Sequence, residues 1–407
     1  MNVSPDFSLP LRIVAPYFIA GVAFYILSII LLLSMPFNPD IRDTSLIAFS
    51  HSYMIGFVMM VIIGAMAQLS VVVAEVYHKH PRAFIITFIL LLLGTVIIIY
   101  GFLANSIYIP IGGMLILVSL FIYIYNLFIS VSMSSRSSAV VDSMRFSTLF
   151  LAVGLIFGIV MALGYGGVVD IDPSAIAPLH IMSIFGGYVM LNIMGVSTVL
   201  LPMFGACSRP SDMAHKISFY MMIATVIMMI FSLFLPLLSK ISAILASISI
   251  IYYMFVVFRI FTSKKRKYSD VWERFIAVSF ISLLLFMIVL AIYIFSHLEI
   301  LLKLSFYILM IGFLGFLIVA HLYKIVPFLV WFERFAPFIE EKAVPSLYEL
   351  LPAKVATTQW YFATTALVLS SIALLLEIEI LWYFALSLLL ISSIFLAYGI
   401  YLILSKR

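Results

Sequence analysis

Charge and cysteine are both scarce in this sequence. Only 10% of its 407 residues are charged, whereas 65% are hydrophobic and the mean hydropathy is +1.28. Soluble domains are about half apolar and about a quarter charged, so this composition excludes a water-soluble fold. The single cysteine, Cys207, excludes an internal disulfide and a thiolate metal cluster. The sequence also lacks Walker, Rossmann, HExxH and nucleophile-elbow motifs.

The sequence instead contains many long apolar segments. A bilayer core of about 30 Å requires about 20 apolar residues per helix. Segments of this kind lie near residues 11–34, 46–77, 83–104, 107–131, 143–167, 176–206, 215–236, 238–262, 271–296, 301–332, 355–376 and 379–404. The first is too long for a signal-peptide core, so we expect it to remain as a helix. The sequence therefore predicts an all-α, polytopic membrane protein of about twelve transmembrane helices in a single transmembrane domain.

The positions of Lys and Arg predict the orientation in the membrane. Positively charged loops strongly prefer the cytoplasmic side. With the N-terminus inside, 18 of the 22 Lys and Arg residues fall on the cytoplasmic side and only Arg42, Lys240 and Lys303 fall outside. We therefore expect a protein of the cytoplasmic membrane with both termini in the cytoplasm.

The densest basic run is Lys264-Lys265-Arg266-Lys267. A cytoplasmic flank that stops translocation is the favoured interpretation, and a site for anionic lipid is the alternative. The lipid bilayer is the expected partner, and nothing in the sequence indicates binding to nucleic acid.

Three of the predicted spans share a pattern at identical offsets. The copies are Gly56-Phe57, Gly64 and Leu69; Gly187-Tyr188, Gly195 and Leu200; and Gly312-Phe313, Ala320 and Ile325. They lie in the second, sixth and tenth spans, which predicts three four-helix units as pseudo-repeats at about 11–131, 143–262 and 271–404. Close helix packing in lipid also favours small residues, so a packing seam is the alternative interpretation.

Three four-helix units with the second helix of each lining the middle resemble the catalytic subunit of the haem-copper oxidases. They also resemble related membrane proteins that respond to nitric oxide. The resemblance covers the topology of the whole chain and implies a haem-copper oxidase subunit I-like fold. It also implies a respiratory-type protein that interacts with a redox partner or a respiratory complex.

Three histidines lie inside predicted spans, where ionisable groups are usually functional or paired. They are His51, His180 and His321, one on each helix that carries the repeat. Counted from the shared frame, His51 and His180 fall at one outer level and His321 about 20 Å deeper toward the cytoplasm. We expect His51 and His180 to be metal ligands, because imidazole suits haem iron and copper. Packing and hydrogen bonding alone are the alternative.

The resemblance implies that His51 corresponds to the axial haem ligand on the second oxidase helix and His180 to a copper ligand on the sixth. Other oxidase ligands are missing, since the tenth span has Ser305 and Tyr307 at the expected level and the seventh has no histidine from Lys216 to Pro236. A haem is therefore the suspected cofactor and copper a possible one. Tyr307, Met54 and Tyr188 are expected to line the cofactor site.

A second polar group is expected in the cytoplasmic half. His321 and Lys324 are three residues apart and share a helix face, and Gln68 falls at the corresponding level of the second span. A proton or polar path is one hypothesis. The favoured one is that Lys324 extends its amine toward the lipid phosphates.

The functional prediction is a haem- or copper-binding protein for electron transfer, or for handling or sensing a diatomic gas such as nitric oxide. An oxidoreductase activity remains open. The alternatives are a transporter or permease with a midplane site in the sixth and tenth helices, and a cofactor-free assembly factor for a respiratory complex.

Overall fold

The computed structural model describes residues 9–134, 138–266, 268–341 and 343–406. In these residues the protein is all-helical, and twelve helices are long and apolar enough to cross a membrane, as predicted. They are α1 Leu11–Ser34, α2 Thr44–Ala74, α3 Ala83–Leu103, α4 Tyr108–Ser132, α5 Ala139–Tyr165, α6 Pro173–Gly205, α7 Asp212–Phe231, α8 Leu237–Thr262, α9 Val271–Ser296, α10 Glu299–Arg334, α11 Ala353–Leu375 and α12 Glu379–Leu404. Between α10 and α11 lie a 3-10 turn, Ala336–Phe338, and a short helix, Leu347–Leu350.

Local signals set the ends of these helices. Helix α2 begins at Thr44 because the Asp43 carboxylate caps it and accepts a hydrogen bond from the Ser45 backbone. It ends before Glu75, whose φ of 52° is left-handed. Helix α7 ends at Phe231, five residues before the predicted limit, and Pro236 precedes the start of α8. Proline is favoured at helix starts because it needs no amide partner there.

The described chain forms two compact units. The first unit contains Leu9 and Met66–Tyr268, and the second contains Pro10–Ala65 and the chain from Ser269 onward. Helices α3 to α8 belong to the first unit and α1 and α9 to α12 to the second, while α2 contributes to both. The predicted division into three pseudo-repeats follows different boundaries and stays a prediction.

Helices α2, α6 and α10 are the longest and most enclosed. They have 31, 33 and 36 residues. In their most apolar stretches 78%, 67% and 78% of residues are buried, against 28% to 50% in the other nine helices. A helix that is apolar all round and enclosed by protein is typical of the inner helices of a bundle. These are the helices that carry the shared sequence pattern.

Each of these three helices also contains a π-helical segment. The segments are Ser52–Met59, Met182–Met190 and Ile308–Gly315. Each ends three residues after the first glycine of the shared pattern, which is Gly56, Gly187 or Gly312. Residues in π-helices make up well under 1% of globular proteins, and such turns occur frequently at functional sites. The three π-helical segments lie at the same place relative to the shared pattern. They distinguish α2, α6 and α10 from the other long helices that the structure describes.

The first glycine of each pattern receives a side chain from the helix that precedes it in the chain. A Cβ atom at Gly56 would lie 2.3 Å from Phe24 of α1, and one at Gly187 would lie 2.5 Å from Phe150 of α5. A Cβ atom at Gly312 would lie 2.6 Å from Ser282 of α9. Small residues at these positions permit close approach of neighbouring helices. The packing interpretation of the glycines is therefore supported at all three positions.

Candidate functional site

His51 ends the α-helical part of α2, at the residue before the π-helical segment. Its ring is half-buried, and Nδ1 lies 2.8 Å from the carbonyl oxygen of Ile47, one turn earlier in the same helix. The carbonyl can only accept, so Nδ1 carries the proton and donates it. His51 belongs to the second unit.

His180 lies in the first unit, two residues before the π-helical segment of α6. Its Nδ1 donates to the carbonyl oxygen of Gly154 on α5 at 2.9 Å. The ring packs against Gly158, where a Cβ atom would lie 2.9 Å from Cε1 of the imidazole. A neighbouring helix therefore fixes the orientation of this ring, whereas His51 is fixed by its own helix.

The hydrogen bonds at His51 and His180 specify the same tautomer. In a neutral imidazole whose Nδ1 donates a proton, the lone pair is on Nε2. Metal-bound histidines commonly donate their other ring N–H to a backbone carbonyl, which fixes the ring and raises its basicity. His321 has the same arrangement, with Nδ1 2.7 Å from the carbonyl oxygen of Leu317. Each long, enclosed helix therefore contains one imidazole with Nε2 as its basic nitrogen.

The residues expected to line the cofactor site have these surroundings. Met54 is half-buried in the π-helical segment of α2. In the first unit, Tyr188 is fully buried and donates its hydroxyl to Tyr123 at 3.2 Å. In the second unit, Tyr307 accepts a hydrogen bond from Ser370 at 2.8 Å. Both tyrosines thus have hydrogen-bond partners on neighbouring helices.

Tyr307 directly precedes the π-helical segment of α10, as His51 precedes that of α2. Its ring packs edge-on against Trp382 of α12, with the ring centres 5.2 Å apart. These contacts show that Tyr307 packs against a neighbouring helix of the second unit.

The second unit brings His321 and Lys324 beside Trp272 of α9. The ring centres of His321 and Trp272 are 6.3 Å apart, and Lys324 Nζ lies 5.7 Å from the Trp272 ring centre. Lys324 Nζ also donates to Asp270 Oδ2 at 2.8 Å, and both side chains are only 14% exposed. A partly buried ion pair therefore holds Lys324. The extension of its amine toward the lipid phosphates stays a prediction.

Asp270 was missed in the sequence because it lies outside the apolar spans. It accepts a hydrogen bond from the Glu273 backbone at 3.1 Å and so caps the N-terminus of α9. A capping aspartate before a helix was a readable signal, but its pairing with a lysine 54 residues later depends on the fold.

Gln68 of α2 makes two hydrogen bonds to the backbone of Leu9. Its side-chain amide donates to the backbone carbonyl of Leu9 at 2.5 Å, and its amide oxygen accepts from the Leu9 backbone N–H at 3.2 Å. Both ends of the Gln68 amide are thus occupied within the first unit. The predicted polar path through Gln68, His321 and Lys324 stays a prediction.

Among the residues that the structure describes, no group of three or more His, Cys, Asp or Glu side chains is placed to hold a metal ion. No protein-family model matches the sequence, and a search of curated proteins returns no significant match. The arrangement that remains is one half-buried imidazole on each of α2, α6 and α10.

Proposed function

We propose that this chain is a haem-binding membrane protein with the haem-copper oxidase type of architecture, in which His51 and His180 are iron ligands. Its role is electron transfer, or the binding of a diatomic gas such as nitric oxide. In this proposal the chain works with a redox partner in the cytoplasmic membrane, and both termini are cytoplasmic.

The observation that carries the proposal is the tautomer of the two imidazoles. His51 donates Nδ1–H to Ile47, and His180 donates Nδ1–H to Gly154. In both residues the basic nitrogen is Nε2, the atom through which histidine binds haem iron when Nδ1 is engaged. A single imidazole per helix fits an axial ligand of a haem iron. A copper site built from several histidines fits less well.

The register of the π-helical segments supports the oxidase-like architecture. Every fourth long helix from α2 to α10 shares three features. These are a π-helical segment, a close contact to the preceding helix and an unusual length. Three structurally equivalent four-helix units would produce this pattern, and π-helical turns are frequent where helices build a functional site.

The protein residues have defined tasks in this proposal. A bound haem would supply reversible one-electron chemistry, and a gas would bind by replacing one of the imidazole ligands. The carbonyl groups of Ile47 and Gly154 hold the two imidazoles in their tautomer. Gly158 leaves room for the His180 ring, because any larger residue would displace it.

The test is the absorption spectrum of the purified protein. The full chain is expressed with a haem supply and purified in detergent, and the reduced-minus-oxidised spectrum and the haem content per chain are measured. We expect a Soret band that is lost or strongly shifted in both His51→Ala and His180→Ala. Gly158→Ala retains the imidazole but displaces its ring, so we expect a shifted band at a similar haem content.

The matched control is His80→Ala, an exposed histidine between α2 and α3, which should leave the spectrum unchanged. All variants are compared at equal monodispersity by gel filtration. A well-folded wild-type protein that is colourless and takes up no added haemin overturns the proposal. So does a spectrum that is unchanged in both histidine variants.

A further inference from the structure

Three helices of the first unit have a basic cluster at the ends that are predicted to face the cytoplasm. The cluster consists of Arg209, Lys216, Arg259, Lys264, Lys265 and Arg266. Arg209 follows the end of α6, Lys216 lies in the first turns of α7, and the rest belong to the end of α8 and the loop after it. Residues from separate parts of the chain thus carry positive charge at one end of this unit.

Hydrogen bonds hold the two loops of the cluster together. The backbone N–H of Lys265 donates to the carbonyl of Ala206 at 3.1 Å. The backbone N–H of Ser208 donates to Ser263 Oγ at 2.9 Å. A run of charge that only stops translocation needs no such connection to another loop. The contacts therefore place the cations of both loops at one fixed surface.

Acidic residues are few in the part of the sequence that holds these cations. From residue 173 to residue 268 the sequence contains one acidic residue, Asp212. Four of the six cations are exposed, namely Arg209, Lys216, Arg259 and Lys265. The other two are held by Tyr268: Lys264 donates to its carbonyl at 3.1 Å, and the Arg266 guanidinium lies 4.7 Å from its ring centre. The cluster therefore presents a concentrated positive potential that requires anionic counter-charge.

Large apolar side chains lie beside these cations. Met203, Met213 and Phe258 are 53%, 70% and 64% exposed, and Met213 and Phe258 are separated from Lys216 and Arg259 by three residues or fewer. A soluble anion gains nothing from such side chains, whereas the acyl chains of a phospholipid cover them while its phosphate meets the cations. This combination favours a lipid as the source of the phosphate.

We infer that the basic cluster is a binding site for the phosphate headgroup of an anionic phospholipid. The cations of the two joined loops and of α7 contact the headgroup, and the neighbouring methionines and phenylalanine contact its acyl chains. Because the site depends on exposed charges, its affinity falls as ionic strength rises.

The test compares lipid binding by the full chain in detergent. Dioleoyl phosphatidylglycerol, dioleoyl phosphatidylcholine and inorganic phosphate are titrated separately, and binding is followed by the thermal unfolding midpoint and by native mass spectrometry. We expect the wild type to prefer phosphatidylglycerol over phosphatidylcholine by about tenfold or more, given about 1 kcal/mol for each basic residue near an anionic surface. The variant R209Q/K216Q/R259Q/K265Q should lose that preference.

The control variant K79Q/R82Q/K354Q/K406Q removes the same number of exposed cations from other parts of the predicted cytoplasmic face. It should retain the preference of the wild type. An equal loss in the control shows a general surface potential and overturns the site. Stabilisation by inorganic phosphate alone, equal to that by phosphatidylglycerol, overturns the lipid assignment.

Measurements on the wild type alone provide a second test that needs no substitution. The preference for phosphatidylglycerol should decrease steadily between low salt and about 1 M salt, where the screening length is about 3 Å. A preference that is absent at low salt, or that persists unchanged at high salt, overturns the inference.

Discussion

The ion pair between Asp270 and Lys324 joins the N-terminal cap of α9 to the C-terminal half of α10. Asp270 uses one carboxylate oxygen for the Glu273 backbone and the other for Lys324. Because both side chains are largely withdrawn from solvent, loss of one charge leaves the other poorly solvated. Removal of one partner therefore costs more stability than it would in an exposed pair.

Replacement of Asp270 by Asn removes the ion pair but keeps the helix cap, since asparagine also caps helices well. We expect Asp270→Asn to lower the free energy of unfolding by about 1 to 3 kcal/mol, measured by denaturant or thermal unfolding in detergent. Adding Lys324→Met should recover part of the loss, because it removes the unpaired cation.

The pair of Lys303 and Glu299, whose carboxylate side chain is exposed, provides the comparison. Their charged atoms are 3.1 Å apart, but the Glu299 side chain is 59% exposed. Glu299→Gln should cost less than about 1 kcal/mol. Equal losses in Asp270→Asn and Glu299→Gln would show that burial of the first pair has no energetic effect.

At the scale of helices, the number and class of elements followed directly from composition, because only apolar runs of about 20 residues can span a bilayer. The π-helical segments did not. Ser52–Met59 and Ile308–Gly315 are almost uniformly apolar, so no polar stripe records whether their period is 3.6 residues or longer. The shared glycines were visible in the sequence, but their neighbours Phe24, Phe150 and Ser282 are fixed only by tertiary packing.

The close contacts at these glycines predict the effect of adding one methyl group. Gly56→Ala and Gly187→Ala would each place Cβ against an aromatic side chain of the preceding helix. We expect each to lower the free energy of unfolding by about 1 to 3 kcal/mol through overpacking, measured by thermal unfolding in detergent.

Gly113 of α4 is a suitable control for the effect of alanine itself. A Cβ atom there would lie 3.1 Å from the Cβ atom of Ala162, and alanine is favoured over glycine in a helix by about 1 kcal/mol. Gly113→Ala should therefore be near neutral. Loss of stability at Gly113 equal to that at Gly187 would contradict the proposed role of the aromatic contacts.

For the whole molecule, composition and charge asymmetry predicted a multi-pass membrane protein, and the twelve described spanning helices agree with it. The candidate ligands His51 and His180 were found because ionisable side chains are rare in the apolar spans. Their hydrogen bonds could not be predicted, since the acceptors are backbone carbonyls that every residue possesses. The orientation of the chain stays a prediction that the single cysteine can test.

Cys207 is a natural reporter of that orientation. It follows α6 on the predicted cytoplasmic side and is half-buried. In intact cells a membrane-impermeant maleimide should leave it unlabelled, and permeabilised cells should show labelling. Measurement by mass shift or gel mobility suffices, because the sequence has no other thiol.

The variant C207S/N105C moves the thiol to the turn between α3 and α4, which is predicted to lie outside. This variant should be labelled in intact cells. Labelling of Cys207 but not of the substituted position 105 in intact cells would reverse the predicted topology.

The common register of the π-helical segments also bears on ancestry. π-helical segments are rare, so three separate origins at equivalent places are less economical than one. If the predicted four-helix units descend from a single gene, one origin before duplication explains all three segments.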